Sequence, residues 1–340
     1  MKKIFIFALI IRLICLYLFK NITNYDLQSY VEIGALTLKG INIYPNIANL
    51  HHPYLPFFLY LEALAFYFKN SVIILKLINI LFDLGILYLV YLLSKKNLKT
   101  AFIYAINPVT ILITTLHGQF DVIPIFFILL AIYLLKIKNQ FGSVLSFSFA
   151  ILTKTWPVLF LIPIIKGIKN KKILILIAFF PILFTLFYTL FFKSSVFDIG
   201  KTLIYYQGLW GIWGSMSLIG QIRPMWQKLT TLSFLISFFT YSWFMKKAGK
   251  NLIKEFLNLL FFFFVFTTNF SIQYFAWIMP FLILIKPRFY ISLIILIIFY
   301  LFSFYYFWLF GIQLILIQNI LGFILWLSFI KVGYLSSKKS

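Results

Sequence analysis

Apolar runs long enough to cross a lipid bilayer recur along this chain, separated by short breaks that carry most of its lysines. A hydrocarbon core about 30 Å thick needs about 20 helical residues to cross it. Within that core every backbone N–H and C=O must find a partner inside the protein, which leaves helices or closed barrels. Residues 72–93, 173–192 and 289–309 meet the length requirement. They show no alternation of period two, so a barrel is excluded. Hydrophobic residues make up 63% of the chain and charged ones 11%, against about 25% charged in soluble domains. The expected fold is all-α, a polytopic transmembrane helical bundle. The apolar start at 4–19 has no small-residue cleavage site after it, so it reads as a span rather than a signal peptide. Cys15 is the only cysteine, so no intrachain disulfide can form.

Charge reports topology. A net +23 first suggests nucleic acid. Yet twenty of the thirty basic residues fall in breaks that can share one face. These breaks lie around Lys95, Lys136, Lys166, Lys246, Lys247, Lys250 and Lys286, and at both ends, from Lys2 and Lys3 to Lys338 and Lys339. The positive-inside rule makes that face cytoplasmic, with both termini on it. The same lysines suit anionic headgroups. Asp26, Glu32, Glu62, Asp121 and Asp198 fall on the opposite, outer face.

Taken in order, a first span at 4–19 leads to an outer polar stretch. Residues 27–38 read as an amphipathic helix on the membrane surface, ended by Gly40. Residues 53–68 read as interfacial or re-entrant. Spans follow at 72–93 and 101–116, with an outer turn at 117–121 and a return at 122–135. Residues 141–153 and 156–165 form a half-length hairpin with Lys154 at its outer tip. A span at 173–192 opens a second long outer segment, 193–228, with Trp210, Trp213 and Trp226 at interfacial positions. Spans near 229–245, 256–268, 274–285, 289–309 and 312–330 complete about 12 traverses. The chain is expected to be a single transmembrane domain over 1–340, with its first outer loop at 20–70.

Polar chemistry is concentrated in that first loop. Residues 20–56 hold two of the seven acidic residues, two of the three histidines and four of the twenty-one tyrosines. Arg12 and Asp83, by contrast, fall inside spans, where an ionisable group costs about 2.5–3.5 kcal/mol to insert. Two readings stand for them: a structural ion pair, or part of a proton or substrate path. Asp26, Asp121, Lys154 and Arg223 all fall at the outer side. One carboxylate with cations nearby suits group transfer from a phosphate leaving group. The carboxylate takes a proton from an acceptor hydroxyl, and the cations stabilise the departing phosphate. Asp26 also reads as a helix N-cap.

Four blocks in order carry a resemblance. Tyr25-Asp26 with Tyr30, Gly40 and Tyr44 is followed by His52-Pro53-Tyr54-Leu55-Pro56. Asn107-Pro108 leads to His117-Gly118-Gln119-Phe120-Asp121. Lys154-Thr155-Trp156-Pro157 runs on to Ile162-Pro163. Ser271-Ile272-Gln273-Tyr274-Phe275-Ala276-Trp277 ends at Pro280. In these blocks the chain resembles the GT-C superfamily of integral membrane glycosyltransferases. The likeness is greatest to the mannosyltransferases that add the first mannose of glycosylphosphatidylinositol, and to prokaryotic relatives. The resemblance implies a polyprenyl-phosphate-sugar donor used on the non-cytoplasmic face, with inversion at the anomeric carbon. The family carries two carboxylates one residue apart in this loop. Here Asp26 matches the second and Asn24 stands in place of the first. A lone carboxylate is a poor cage for a hard cation, so no cofactor is expected and a divalent metal is disfavoured.

The expected activity is therefore hexosyl transfer, mannosyl by resemblance, to an acceptor hydroxyl on a glycolipid, protein or polymer. Asp26 is the expected base. Lys154, Arg223, His51, His52, Gln273 and Tyr274 are candidates for donor phosphate or sugar. Asp121, His117 and Gln119 would shape the acceptor side. Lys154 also reads as a snorkelling anchor, and Ser271 as a helix cap. No glycine-rich nucleotide loop is present, which disfavours a soluble sugar nucleotide. The competing class is a lipid or small-solute transporter or flippase with Arg12 and Asp83 in its path. The expected location is the plasma membrane of a prokaryote, or the endoplasmic reticulum membrane of a eukaryote.

Overall fold

The computed structural model describes residues 1–206, 209–219, 224–245 and 251–338. They form helices and turns, with one isolated bridge between Trp210 and Asn269. In chain order the helices are α1 Lys2–Leu18, α2 Tyr25–Leu38, α3 Ala48–His51, α4 Phe58–Tyr67, α5 Ser71–Leu93 and α6 Leu98–Ala105. Next come α7 Pro108–Leu112, α8 Val122–Lys136, α9 Gln140–Thr153, α10 Leu161–Gly167, α11 Phe179–Phe192 and α12 Val196–Tyr205. The last six are α13 Gly214–Ile219, α14 Pro224–Phe244, α15 Leu252–Phe266, α16 Phe275–Ile285, α17 Tyr290–Phe310 and α18 Ile315–Ser337.

Among the described residues, four segments are long and apolar enough to cross a membrane: Ser71–Leu93, Lys171–Phe192, Tyr290–Phe310 and Ile315–Ser337. A fifth is the pair Leu98–Ala105 and Pro108–His117, bent by 41° at its break. The bend has a local cause. Pro108 lacks the N–H that would continue α6 and disfavours helical backbone at Asn107. The pair then ends in one π-helical turn, Ile113–His117. The other apolar helices are shorter: α1 has 17 residues, α8 has 15 and α9 has 14. At 1.5 Å per residue they fall short of a full hydrocarbon core.

The chain packs as two compact units. The first holds Met1–Ile106, Thr110–Val158 and Ile168–Tyr206. Its centre is α5, which buries Leu75, Ile80, Leu84 and Leu87. α8 and α9 pack together beside it, and Gly85 lets the Phe126 ring lie against the α5 backbone. α2, read from sequence as an amphipathic surface helix, packs one face inward. It buries Leu27, Tyr30, Ile33 and Thr37 and packs along α4. Gly34 makes this possible, because a Cβ there would collide with the Glu62 carbonyl. Glu62, read from sequence as an outer-face charge, is fully buried by that packing.

The second unit holds Asn107–Val109, Leu159–Gly167 and the described part of Gln207–Ser340. Its core is aromatic. The Trp213 ring stacks on Phe270 at 4.3 Å and meets Phe264, Phe275, Tyr300 and Phe329 edge-on. Its indole N–H donates to the Phe264 carbonyl at 2.7 Å. Trp213 is thus a core residue, 2% exposed, where the sequence suggested an interfacial one. Trp226 is the exposed ring of that set.

Lysines do unusual work at helix ends. Among the described residues, six of the seven non-glycine residues at positive φ are Lys69, Lys95, Lys96, Lys138, Lys193 and Lys286. Most close a helix in the left-handed position that glycine usually takes. The strain costs about 1–2 kcal/mol, and a cation beside the C-terminal carbonyls offsets part of it. Lys166 caps more directly, donating to the carbonyls of Ser242 and Trp243 at 2.8 Å. The predicted inner lysines Lys246, Lys247, Lys250 and Lys339 lie outside the described residues.

Candidate functional site

The site assembles in the first unit where the start of α2 meets the turn after the bent span. Asn24 begins α2: its side-chain oxygen accepts from the Leu27 amide at 3.0 Å. Asn24, and not Asp26, is therefore the N-cap. Asp26 sits in the first turn, where the helix dipole favours an anion, with its carboxylate committed to tertiary partners. The Asn24 amide also donates to the His117 carbonyl at 2.9 Å. Gly118 follows at φ +77°, packed so closely on Leu27 that a Cβ would clash. Asn79 of α5 donates to the Gly118 carbonyl at 2.9 Å. The start of α2 and Asn79 of α5 thus hold the 117–121 turn in place.

The turn delivers its side chains to Asp26. Gln119 donates its amide N–H to Asp26 Oδ2. His117 Nε2 lies 3.7 Å from the same oxygen. The Asp26 carboxylate is 42% exposed, and Oδ1 accepts no hydrogen bond from the described residues. Burial pushes the pKa of Asp26 up. The His117 hydrogen bond and charge, the Lys154 ammonium and the Gln119 amide outweigh it and hold the carboxyl below its ordinary value of 3.8.

Asp121 and Lys154 join directly, Nζ to Oδ2 at 2.7 Å, and both are buried. The ammonium also lies over the Phe120 ring at 4.2 Å and the Tyr54 ring at 5.2 Å. Lys154 is not a snorkelling anchor: it is 5% exposed, an internal cation held by a carboxylate and two rings. The sequence assigned Asp121 to the acceptor side and Lys154 to the donor side. They are one pair, because the end of α9 and the start of α8 converge there.

The two adjacent histidines diverge, as neighbours in a loop do. His51 meets Ser29 at 2.7 Å through Nδ1, stacks on Tyr25 and lies 3.9 Å from Glu32. His52 turns inward and is fully buried, Nδ1 3.2 Å from Glu62 Oε2 and edge-on to the Tyr44 and Tyr54 rings. Burial pushes the Glu62 carboxyl up, against the nearby His52. His52 is thus a core partner of Glu62 where the sequence suggested an exposed ligand.

Gln273 and Tyr274 belong to the second unit. The Gln273 carbonyl accepts from the Ser271 hydroxyl. Tyr274 stacks on Trp277 at 4.1 Å. Ser271 stands at the N-cap position but makes no side-chain cap bond. Arg223 lies outside the described residues.

Arg12 and Asp83 meet in the first unit, Nη2 to Oδ2 at 2.6 Å and Nε to Oδ2 at 2.7 Å, both fully buried. Arg12 also donates to the carbonyls of Ala8 and Ala105, and Tyr104 donates to Asp83 Oδ1 at 2.6 Å.

Sequence reasoning gave no site role to Tyr30, Tyr54, Asn79 or Tyr206. Tyr30 is buried and donates to Gln119 Oε1 at 3.0 Å. Burial, then the charges of Asp26 and Asp121, push the Tyr206 hydroxyl up, so it lies within their field. Nothing local distinguishes these tyrosines from eighteen others. Their roles come from contacts between residues far apart in the chain.

Two polar groups around Asp26 are already committed. The Asn24 oxygen is spent on a backbone amide and Gln119 presents N–H to the carboxylate. Among the described residues no three His, Cys, Asp or Glu side chains gather as a metal site would need. No protein-family model matches the chain, and no curated protein matches it. The apolar helices make this a membrane protein.

Proposed function

We propose that the chain is a membrane glycosyltransferase that moves a hexose, mannose by resemblance, from a polyprenyl-phosphate-sugar donor to an acceptor hydroxyl. The reading takes the outer face as the site of reaction and both termini as cytoplasmic. The observation that carries it is Asp26: a half-exposed carboxylate with one oxygen held by Gln119 and beside His117, the other open, and a lysine close enough to lower its pKa.

In the proposed step the acceptor O–H hydrogen-bonds to Asp26 Oδ1. Its oxygen attacks the anomeric carbon from the face opposite the phosphate. The new C–O bond forms as the bond to phosphate oxygen breaks, and the electron pair leaves on the polyprenyl phosphate. The proton passes to Asp26, and the configuration inverts. A base of low pKa is a weak proton acceptor. Here the cause of the low value supplies the remedy. Donor phosphate draws on the charge of His117 and Lys154, and an Asp26 relieved of that charge becomes more basic. Lys154 meets phosphate only by sharing its ammonium with Asp121. No step runs through a metal.

The transport reading rests on Arg12 and Asp83 as a path. Their charges are closed on one another, on two backbone carbonyls and on Tyr104, which supports a structural lock instead. The test is purified protein with labelled polyprenyl-phosphate-mannose and membrane lipids. Transfer by the wild type and a loss of about 10²–10⁴-fold in Asp26→Asn, at unchanged melting temperature, is the expected result. Wild-type transfer by a folded Asp26→Asn protein overturns the proposal. Solute flux in liposomes without any sugar donor would favour the transporter.

A further inference from the structure

The backbone around Gln119 is pinned. Its own N–H donates to the Ile113 carbonyl at 3.1 Å, and the carbonyls of His117 and Gly118 are held by Asn24 and Asn79. What the backbone leaves open is which end of the Gln119 amide faces Asp26. An ionised Asp26 selects the N–H end by charge alone. A protonated Asp26 does not, since it could donate to a reversed amide.

Tyr30 removes that choice. Its hydroxyl donates to Gln119 Oε1 at 3.0 Å, and the residue is 2% exposed. Were the amide to reverse, the buried hydroxyl proton would lose its only acceptor among the described residues. An unmet buried donor costs about 1–3 kcal/mol. The ring is itself fixed edge-on to Phe58 at 5.4 Å and to Phe120 at 5.5 Å, so the hydroxyl cannot swing away.

The geometry points to Tyr30 as a positioning residue that keeps Gln119 donating to Asp26 Oδ2 in both protonation states of the carboxylate, so that proton exchange with an acceptor runs through Oδ1. This rests on the reading of Asp26 as the base and adds what governs its ionisation. The other titratable groups facing the site are His117, Lys154, Asp121 and Tyr206 around Asp26, and Tyr54 and Glu62 around Tyr30. The variants below leave all of them in place.

The experiment is a double-mutant cycle of Tyr30→Phe and Gln119→Met, with the Asp26 pKa read by carboxyl ¹³C NMR and transfer read as kcat and KM. Tyr30→Phe keeps the ring and removes the hydroxyl. The expected results are a higher Asp26 pKa, a kcat lower by about tenfold, as loss of one hydrogen bond implies, and little change in donor KM. In the Gln119→Met background the same Tyr30→Phe change is expected to do nothing further, because the hydroxyl acts through the amide. An unmoved Asp26 pKa in Tyr30→Phe overturns the inference, as does an equal effect in both backgrounds. If Tyr30→Phe does not fold, Gln119→Met alone decides from the other end: an Asp26 pKa that stays at the wild-type value overturns it. The NMR reading needs no transfer activity. Absence of transfer therefore sinks the transferase reading, while an unmoved pKa sinks this one.

Discussion

Two ionic centres of the first unit are built to opposite ends. At Arg12–Asp83 both side chains are fully buried and the charges are met from several sides. At Asp26 the carboxylate is 42% exposed, and one oxygen is bound while the other is open. Both centres cost free energy to place near lipid. The first recovers it through its ion pair and the hydrogen bonds to Ala8, Ala105 and Tyr104, and so locks α1 to α5 and α6. The second leaves a lone pair free, which a ligand or water can use. The closed pair suits a structural role, and the open carboxylate oxygen suits the proposed acceptor. The Asp121–Lys154 pair stands between them, buried like the first centre and coupled by charge to the second.

The largest expected effect falls on the closed centre. Arg12→Ala strands Asp83 in the membrane and should cost about 3–5 kcal/mol, whereas a double change to apolar residues of similar size should cost far less. Thermal unfolding in detergent measures both. A harmless Arg12→Ala would break the contrast, since the pair would then not be a lock. Next comes Asp121→Asn. It leaves the buried Lys154 ammonium without its carboxylate, and should cost about 1–3 kcal/mol while raising the effect of Lys154 on Asp26. A melting temperature equal to wild type would show that the two rings suffice to hold the cation.

The smallest effect is the pH dependence of Asp26 itself. Its folded pKa is lowered below 3.8. Its contribution to stability is therefore complete above the unfolded value and is lost as pH falls through the folded one. Wild type and Asp26→Asn should differ in stability at neutral pH and converge in strong acid. Screening at a half-exposed group keeps the difference small. In the proposed transfer, kcat/KM for the donor, which reports the free enzyme, should likewise show no acid limb from Asp26 above about pH 5. A limb near neutrality would assign control to another group.

The sequence determined the class of the molecule and the neighbourhood of its site. Apolar runs dictate helices because nothing else satisfies the backbone in lipid. The bend at Asn107-Pro108 and the left-handed Gly118 have local causes in proline and glycine, yet the apolar pattern reads as one continuous span over 101–116. Clustering of polar residues in 20–56 marked Asp26, but not its partners. That Asn24 caps α2 is a local contact with Leu27, three residues on. That His52 turns inward to Glu62, that Asp121 and Lys154 are one pair, and that Tyr30 reaches Gln119 were decided by tertiary structure. The last two join groups far apart along the chain. Pattern carries information over a few residues, whereas the direction of a buried side chain is set by whatever distant group pays for its desolvation.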